Sequence, residues 1–145
     1  MADAFDTAEP LSLEPCDASP AAPDQDGICI ASPSRVHVNR RFMVCGAMQL
    51  RTGEFGLLDP GTEVKLVAVE AREGWMRAGP AFYRIGHEVD RPLVQVPCEI
   101  RAISWFNADL FDNLDLPRRP ATWVVHAYLG SFVSNAAVVE VFEES

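Results

Sequence analysis

Residues 1 to 34 contain no lysine or arginine, and no basic patch stands out anywhere in the chain. Nucleic acid and anionic membrane surfaces are therefore not expected as partners, because clustered cationic side chains supply most of the affinity for both. No run approaches the ~18 consecutive apolar residues that a membrane-spanning helix needs. The opening MADAFDTAEP has neither the basic n-region nor the apolar h-region of a secretory signal. A cytoplasmic protein is the expectation; a mature form, or export without a cleaved leader, is the alternative. The four cysteines, Cys16, Cys29, Cys45 and Cys98, include no Cys-x-x-Cys pair. In a reducing compartment, strand cysteines behave as small hydrophobes, so Cys45 and Cys98 are expected as buried free thiols. No long segment repeats apolar residues at helical spacing, and no internal repeat is present.

The motifs of catalysis are equally sparse. His37, His87 and His126 fall in separate segments, with no close pair to begin a zinc site. Asn107, Asp109, Asp112, Asn113 and Asp115 form an acidic cluster, but their spacing is not that of a calcium-binding EF-hand loop. There is no Gly-x-Ser-x-Gly elbow, and Ser104, Ser131 and Ser134 have no adjacent base. Gly53, Gly56 and Gly61 lack the following Lys-Ser or Lys-Thr of a phosphate-cradling loop. A non-enzymatic protein with no catalytic residues, no cofactor and no metal is the expectation. A small enzyme built on a Cys–His pair or a metal would require residues distant in sequence to converge.

The chain's 145 residues and 48% hydrophobic content suffice for one domain with a core. The net charge is −9, and Asp3, Asp6, Glu9, Glu14, Asp17, Asp24 and Asp26 carry most of it. Residues 35–145 hold 12 basic against 14 acidic groups and are nearly neutral. The segment 1–27, rich in Ala, Pro, Asp and Ser, buries too little apolar surface to offset its chain entropy. It reads as a disordered or loosely draped acidic tail preceding a domain over 28–145.

That domain reads as strands. Ile28–Ile30 is a first short edge strand limited by Pro33. Along 35–51, Phe42, Val44, Gly46, Met48 and Leu50 alternate with Met43, Cys45, Ala47 and Gln49, and period 2 places the even residues inward. Along 63–71, Val64, Leu66 and Ala68 share one face while Val67 and Val69 share the other, so either both faces are buried or a bulge shifts the phase. Arg72-Glu73-Gly74 is a tight turn before Trp75-Met76-Arg77, and 78–92 is loop-like. A strand over 93–106 points Val94, Val96, Cys98, Ile100 and Ala102 one way. Asn107 is placed as N-cap of a helical turn over 107–116. In 122–129, Trp123, Val125, Ala127 and Leu129 point inward; Gly130-Ser131 turns the chain; and Ala137, Val139 and Val141 point inward along 132–142. Five or six strands separated by turns every ten or so residues define an antiparallel sandwich or barrel.

The stretch 114–141 (LDLPRRPATWVVHAYLGSFVSNAAVVEV) carries a proline-bearing corner, a strand with an aromatic residue, a short turn and an SN-x-x-V-x-V-like final strand. On Pro117, Pro120, Trp123, Ser134, Asn135, Val139 and Val141 the chain resembles the immunoglobulin-like β-sandwich domains of bacterial proteins. Tryptophan stands where such corners often have tyrosine, and the inter-sheet disulfide of antibody domains is absent. The resemblance implies an all-β, antiparallel, immunoglobulin-like sandwich and brings no catalytic residue with it, because such folds host many functions. Binding is expected instead. Trp75, Arg77, Phe82, Tyr83, Arg84 and His87 give the 72–92 region the composition of an interface hot spot, although core packing is an equal expectation for Trp75. A protein partner, or self-association through sheet edges or the 72–92 loop, follows from this reading. The alternative is a small-molecule or carbohydrate-binding module stacking its ligand on Trp75, Phe82 and Tyr83.

Overall fold

The computed structural model describes Phe5 and residues 16–51, 57–58, 64–81, 94–95 and 101–144. Their elements run β1 (Gly27–Ala31), β2 (Arg35–His37), β3 (Met43–Arg51), β4 (Leu57–Leu58), β5 (Val64–Glu70), β6 (Met76–Pro80), β7 (Val94–Gln95), β8 (Arg101–Asp109), α1 (Leu110–Asn113), β9 (Ala121–Leu129), β10 (Phe132–Val133) and β11 (Ala137–Phe142). One sheet has the order β1-β3-β8. A second has the order β2-β11-β9-β5-β6, with β10 added to β9; β4 and β7 pair separately. All pairings are antiparallel except β2 with β11. The protein is an all-β sandwich.

Alternation builds the space between the sheets. The second sheet contributes Val64, Leu66 and Ala68 of β5, Trp123, Val125, Ala127 and Leu129 of β9, and Val139 and Val141 of β11. The first contributes Ile28 and Ile30, Phe42 and Val44, and Phe106 and Ala108. Each large side chain sealed there contributes about 1.5–3 kcal/mol. Gly46 faces Phe106 across the β3–β8 pair, and a Cβ at Gly46 would fall inside the Phe106 ring. Glycine is required at that position so that the ring can lie flat against the strand.

The run 35–51, expected as one strand, is two. Val38 N–H donates to the Phe142 carbonyl at 3.0 Å, and Arg40 N–H donates to the His37 carbonyl at 2.9 Å. The bend between them sends β2 to the second sheet and β3 to the first. Arg118 fixes it: Nη1 donates to the carbonyls of Val38 (2.8 Å) and Arg40 (3.0 Å), and the guanidinium lies over the Phe111 ring at 4.3 Å. The proline-bearing corner thereby holds the crossing between sheets. The helical turn is also displaced. β8 pairs with β3 as far as Asp109, so Asn107 lies within the strand and Asp109 is the N-cap. Asp109 Oδ1 accepts from the backbone N–H of both Phe111 (3.1 Å) and Phe42 (3.0 Å). Residues 76–80, with 78–80 expected as the start of a loop, form β6, whose register with β5 is unbroken. No bulge is needed in β5: Val67 and Val69 are half-buried on its outer face.

The central strand of the first sheet, β3, is covered on both faces, whereas Ile103 on the outer face of β8 is exposed. Met43, Cys45, Ala47 and Gln49, the odd residues of β3, are as buried as the even ones. Residues 16–26 follow a path along that outer face: Phe5, Cys16 and Ala18 pack on Met43 and Cys45, and Cys29 Sγ donates to the Ala21 carbonyl at 3.1 Å.

Ser134 and Asn135, singled out by the resemblance, close the sandwich. Ser134 Oγ accepts from Ala127 N–H (2.8 Å) and donates to the Asn135 carbonyl (2.7 Å). The Asn135 amide behaves as a short piece of strand. Its Oδ1 accepts from Ile30 N–H at 2.8 Å and its Nδ2 donates to the Ile30 carbonyl at 3.0 Å, joining β1 to the opposite sheet. Asn135→Ala is expected to cost about 1–3 kcal/mol in denaturant unfolding, since it strands two backbone groups at once. Gly46→Ala is expected to cost about as much through overpacking against Phe106; an unchanged denaturation midpoint for either variant would contradict this packing.

Candidate functional site

The β5–β6 turn positions the first candidate group. Gly74 takes a left-handed conformation (φ 78°) that favours glycine, and its N–H donates to the Glu70 carbonyl at 2.9 Å. Glu70 N–H donates to the Trp75 carbonyl at 2.7 Å. The Glu70 carboxylate accepts from the backbone N–H groups of Arg72 and Glu73 and so serves its own turn. Trp75, leaving this turn, is 46% exposed and is not a core residue. The Arg119 guanidinium sits 4.9 Å from its ring centroid. Trp75, Arg119 and Pro120 overhang a cleft of about 140 Å³, with Glu70 and Arg72 at its side and Trp123 also lining it. That is below the ~300–1,000 Å³ of a pocket for a drug-sized ligand. Arg77 lies exposed on β6 in register with Ala68. Phe82, Tyr83, Arg84 and His87 fall outside the described residues, so the structure places only Trp75 and Arg77 of the expected group.

The second candidate is the outer face of the larger sheet, which sequence reasoning did not assemble. Residues in direct register share a face. Met76 pairs with Val69, Val69 with Val124, and Val124 with Val138, so one apolar row crosses β6, β5, β9 and β11. At the usual inter-strand spacing it is about 14 Å long. A second row, Ala78–Val67–His126, runs beside it. The ends are open: Met76 is 65% exposed and Val138 58%. Val133, in register with Tyr128, is 53% exposed on the same sheet. The sequence carried one signal of this face, the out-of-phase valines of β5. The register that lines them up with Met76 and Val138 is a property of the folded sheet.

Trp123 and His37, both weighed in the sequence, take structural roles, as does Arg35. Trp123 is 1% exposed, in the core. His37 stands edge-on to Phe142, with ring centroids 5.3 Å apart, and its Nδ1 accepts from Asn39 N–H. Arg35 pairs with Glu140 at 2.6 Å and lies over Phe142 at 4.1 Å, holding β2 to β11. Among the described residues no three His, Cys, Asp or Glu side chains converge as metal ligands, and no helix is long and apolar enough to cross a membrane.

No family model and no curated protein matches the chain. Among solved structures it is similar to the sulfur carrier protein SoxY from Chlorobium limicola f thiosulfatophilum, at 16% identity over 86% of this chain and 84% of that one. The TM-score is 0.28, a likeness too slight to bear on fold or role.

The two lining tryptophans should respond differently to truncation. Trp75→Ala is expected to cost no more than about 1 kcal/mol, the value of an exposed cation–π contact, whereas Trp123→Ala should cost about 3–5 kcal/mol. Thermal melts of the two variants check this, and equal losses would place Trp75 in the core.

Proposed function

We propose that the chain is a non-enzymatic, immunoglobulin-like β-sandwich that binds another protein, as an accessory or assembly subunit. The row Met76–Val69–Val124–Val138 on the outer face of the larger sheet supports this reading. Phe5, Cys16 and Ala18 cover Met43 and Cys45 on the outer face of the smaller sheet, whereas the larger sheet leaves an apolar row with exposed ends. Contiguous exposed apolar surface of this kind marks interaction sites on proteins, and a flat face rimmed by polar groups suits a protein better than a small molecule. We take the occupant to be a different protein, a second copy being the outcome that the test below excludes. Glu143 and Glu144, exposed beyond β11, favour a partner with basic residues flanking an apolar centre.

The carbohydrate or small-molecule reading has less support. The Trp75 ring already has Arg119 over it, and the adjoining depression of about 550 Å³, lined by Glu70, Ala71, Arg72, Pro120, Ala121, Thr122, Glu140 and Val141, offers no aromatic ring for stacking.

Photo-cross-linking in the native cell tests the proposal. A photoreactive amino acid is placed at Met76 or at Val138, with Asn39, exposed at the β2–β3 bend, as control. Both test positions are expected to give one adduct of the same mass, containing one other protein, and Asn39 none. Adducts containing only this chain, or no adduct at either test position, would overturn the reading.

A further inference from the structure

We propose that Cys16 and Cys45 form a thiol–disulfide exchange site, in which a low-molecular-weight disulfide oxidises the pair and fastens the N-terminal segment to the first sheet. The two sulfurs already lie 3.6 Å apart, although 29 residues separate them in sequence. Cys45 sits in the middle of β3, fully buried, between Ala31 of β1 and Asn107 of β8. The chain turns at 16–19, where Ser19 N–H donates to the Cys16 carbonyl at 3.0 Å and Cys16 N–H donates to Ser19 Oγ at 2.8 Å. That turn aims the Cys16 thiol at Cys45 and brings it within 3.7 Å of Asn107 Oδ1.

The two thiols are unequal in a way that sets the order of events. Partial burial opposes ionisation of Cys16, but hydrogen bonds to its sulfur, the Ser19 hydroxyl first among them, outweigh this and hold the thiol below its ordinary value. Burial and the neighbouring Cys16 push the Cys45 thiol far up. Cys16 is also the accessible member, half-buried where Cys45 is sealed. Reactive thiols are those with both access and thiolate character.

The Cys16 thiolate therefore attacks one sulfur of the small disulfide. The S–S bond of that reagent breaks, a mixed disulfide forms on Cys16, and one thiolate leaves. Cys45 then gives up its proton, attacks the Cys16 sulfur and expels the second thiolate. Two protein thiols and one small disulfide become one protein disulfide and two small thiols, with two electrons passing to the reagent. Cys29 takes no part: its sulfur donates to the carbonyls of Ala21 (3.1 Å) and Ala47 (3.7 Å), and burial raises its pKa. Closing the link fixes covalently the segment that already covers Met43 and Cys45 in the thiol state, so oxidation locks the cover on the first sheet.

The test titrates the full-length protein with oxidised glutathione and follows intact mass, then maps linked peptides after cleavage at both aspartate and arginine, which places Cys16, Cys29 and Cys45 on separate peptides. The wild type is expected to lose two hydrogens and yield a Cys16–Cys45 peptide. Cys45→Ala should instead hold a stable glutathione adduct on Cys16, and Cys16→Ser, altered only on the covering segment, should lose at least about tenfold in reaction rate by removal of the attacking thiolate. Pairing of Cys16 with Cys29 or Cys98, a glutathione adduct that persists on the wild type, or no reaction at all would each overturn the proposal.

Discussion

The architecture turns on the burial of β3 on both faces. A strand in a two-layer sandwich ordinarily shows one face to the core and the other to water. β3 has no such second face: Phe42 and Val44 point between the sheets, while Met43, Cys45, Ala47 and Gln49 are buried on the other side, the first two beneath Phe5, Cys16 and Ala18. Two consequences follow from this one constraint. The smaller sheet must enlist the N-terminal segment as a third layer, which turns a polar, proline-rich stretch into part of the folded unit. Asp17, Asp24 and Asp26 are then carried on the side of the molecule away from the larger sheet.

The larger sheet is built the other way. Its inner face supplies most of the core, and its outer face keeps valines on three neighbouring strands without a covering layer of this chain among the described residues. Among the described residues the two sheets thus differ, the central strand of one being covered by residues of its own chain and the outer valine row of the other having exposed ends. What holds them together is local and polar as well as apolar. Asn135 bonds both backbone groups of Ile30, and Arg118 ties the sheet-changing bend to the corner before β9. Residues that a motif-based reading would take as family markers are here the fasteners of the two layers.

Much of the fold was legible from alternation. The inward sets of β3, β9 and β11 were readable because each strand keeps strict period 2 against a single core. The division of 35–51 into β2 and β3 was not readable, because Val36, Val38, Phe42 and Val44 keep the same parity on both sides of the bend, and only Arg118, distant in sequence, fixes the change of sheet. The N-cap moved from Asn107 to Asp109 because ladder pairing with β3 outlasted the local capping preference. The candidate site was less legible. Trp75 was singled out by composition, but the apolar row beside it depends on cross-strand register, which two-residue periodicity within one strand does not encode. The Cys16–Cys45 contact was hidden for the same reason: it joins a segment with no periodicity to the outward phase of a strand.

Side-chain oxidation by hydroxyl-radical footprinting of the intact protein tests the closed-and-open arrangement most directly, because each sheet carries its own reporter. The account predicts rapid oxidation of Met76 and Trp75 on the open sheet, with Met43 on the covered face and Trp123 in the core protected. Oxidation of Met43 as fast as that of Met76 would contradict it, since the third layer would then be absent; so would protection of Met76 in the purified chain, since its face would then already be occupied.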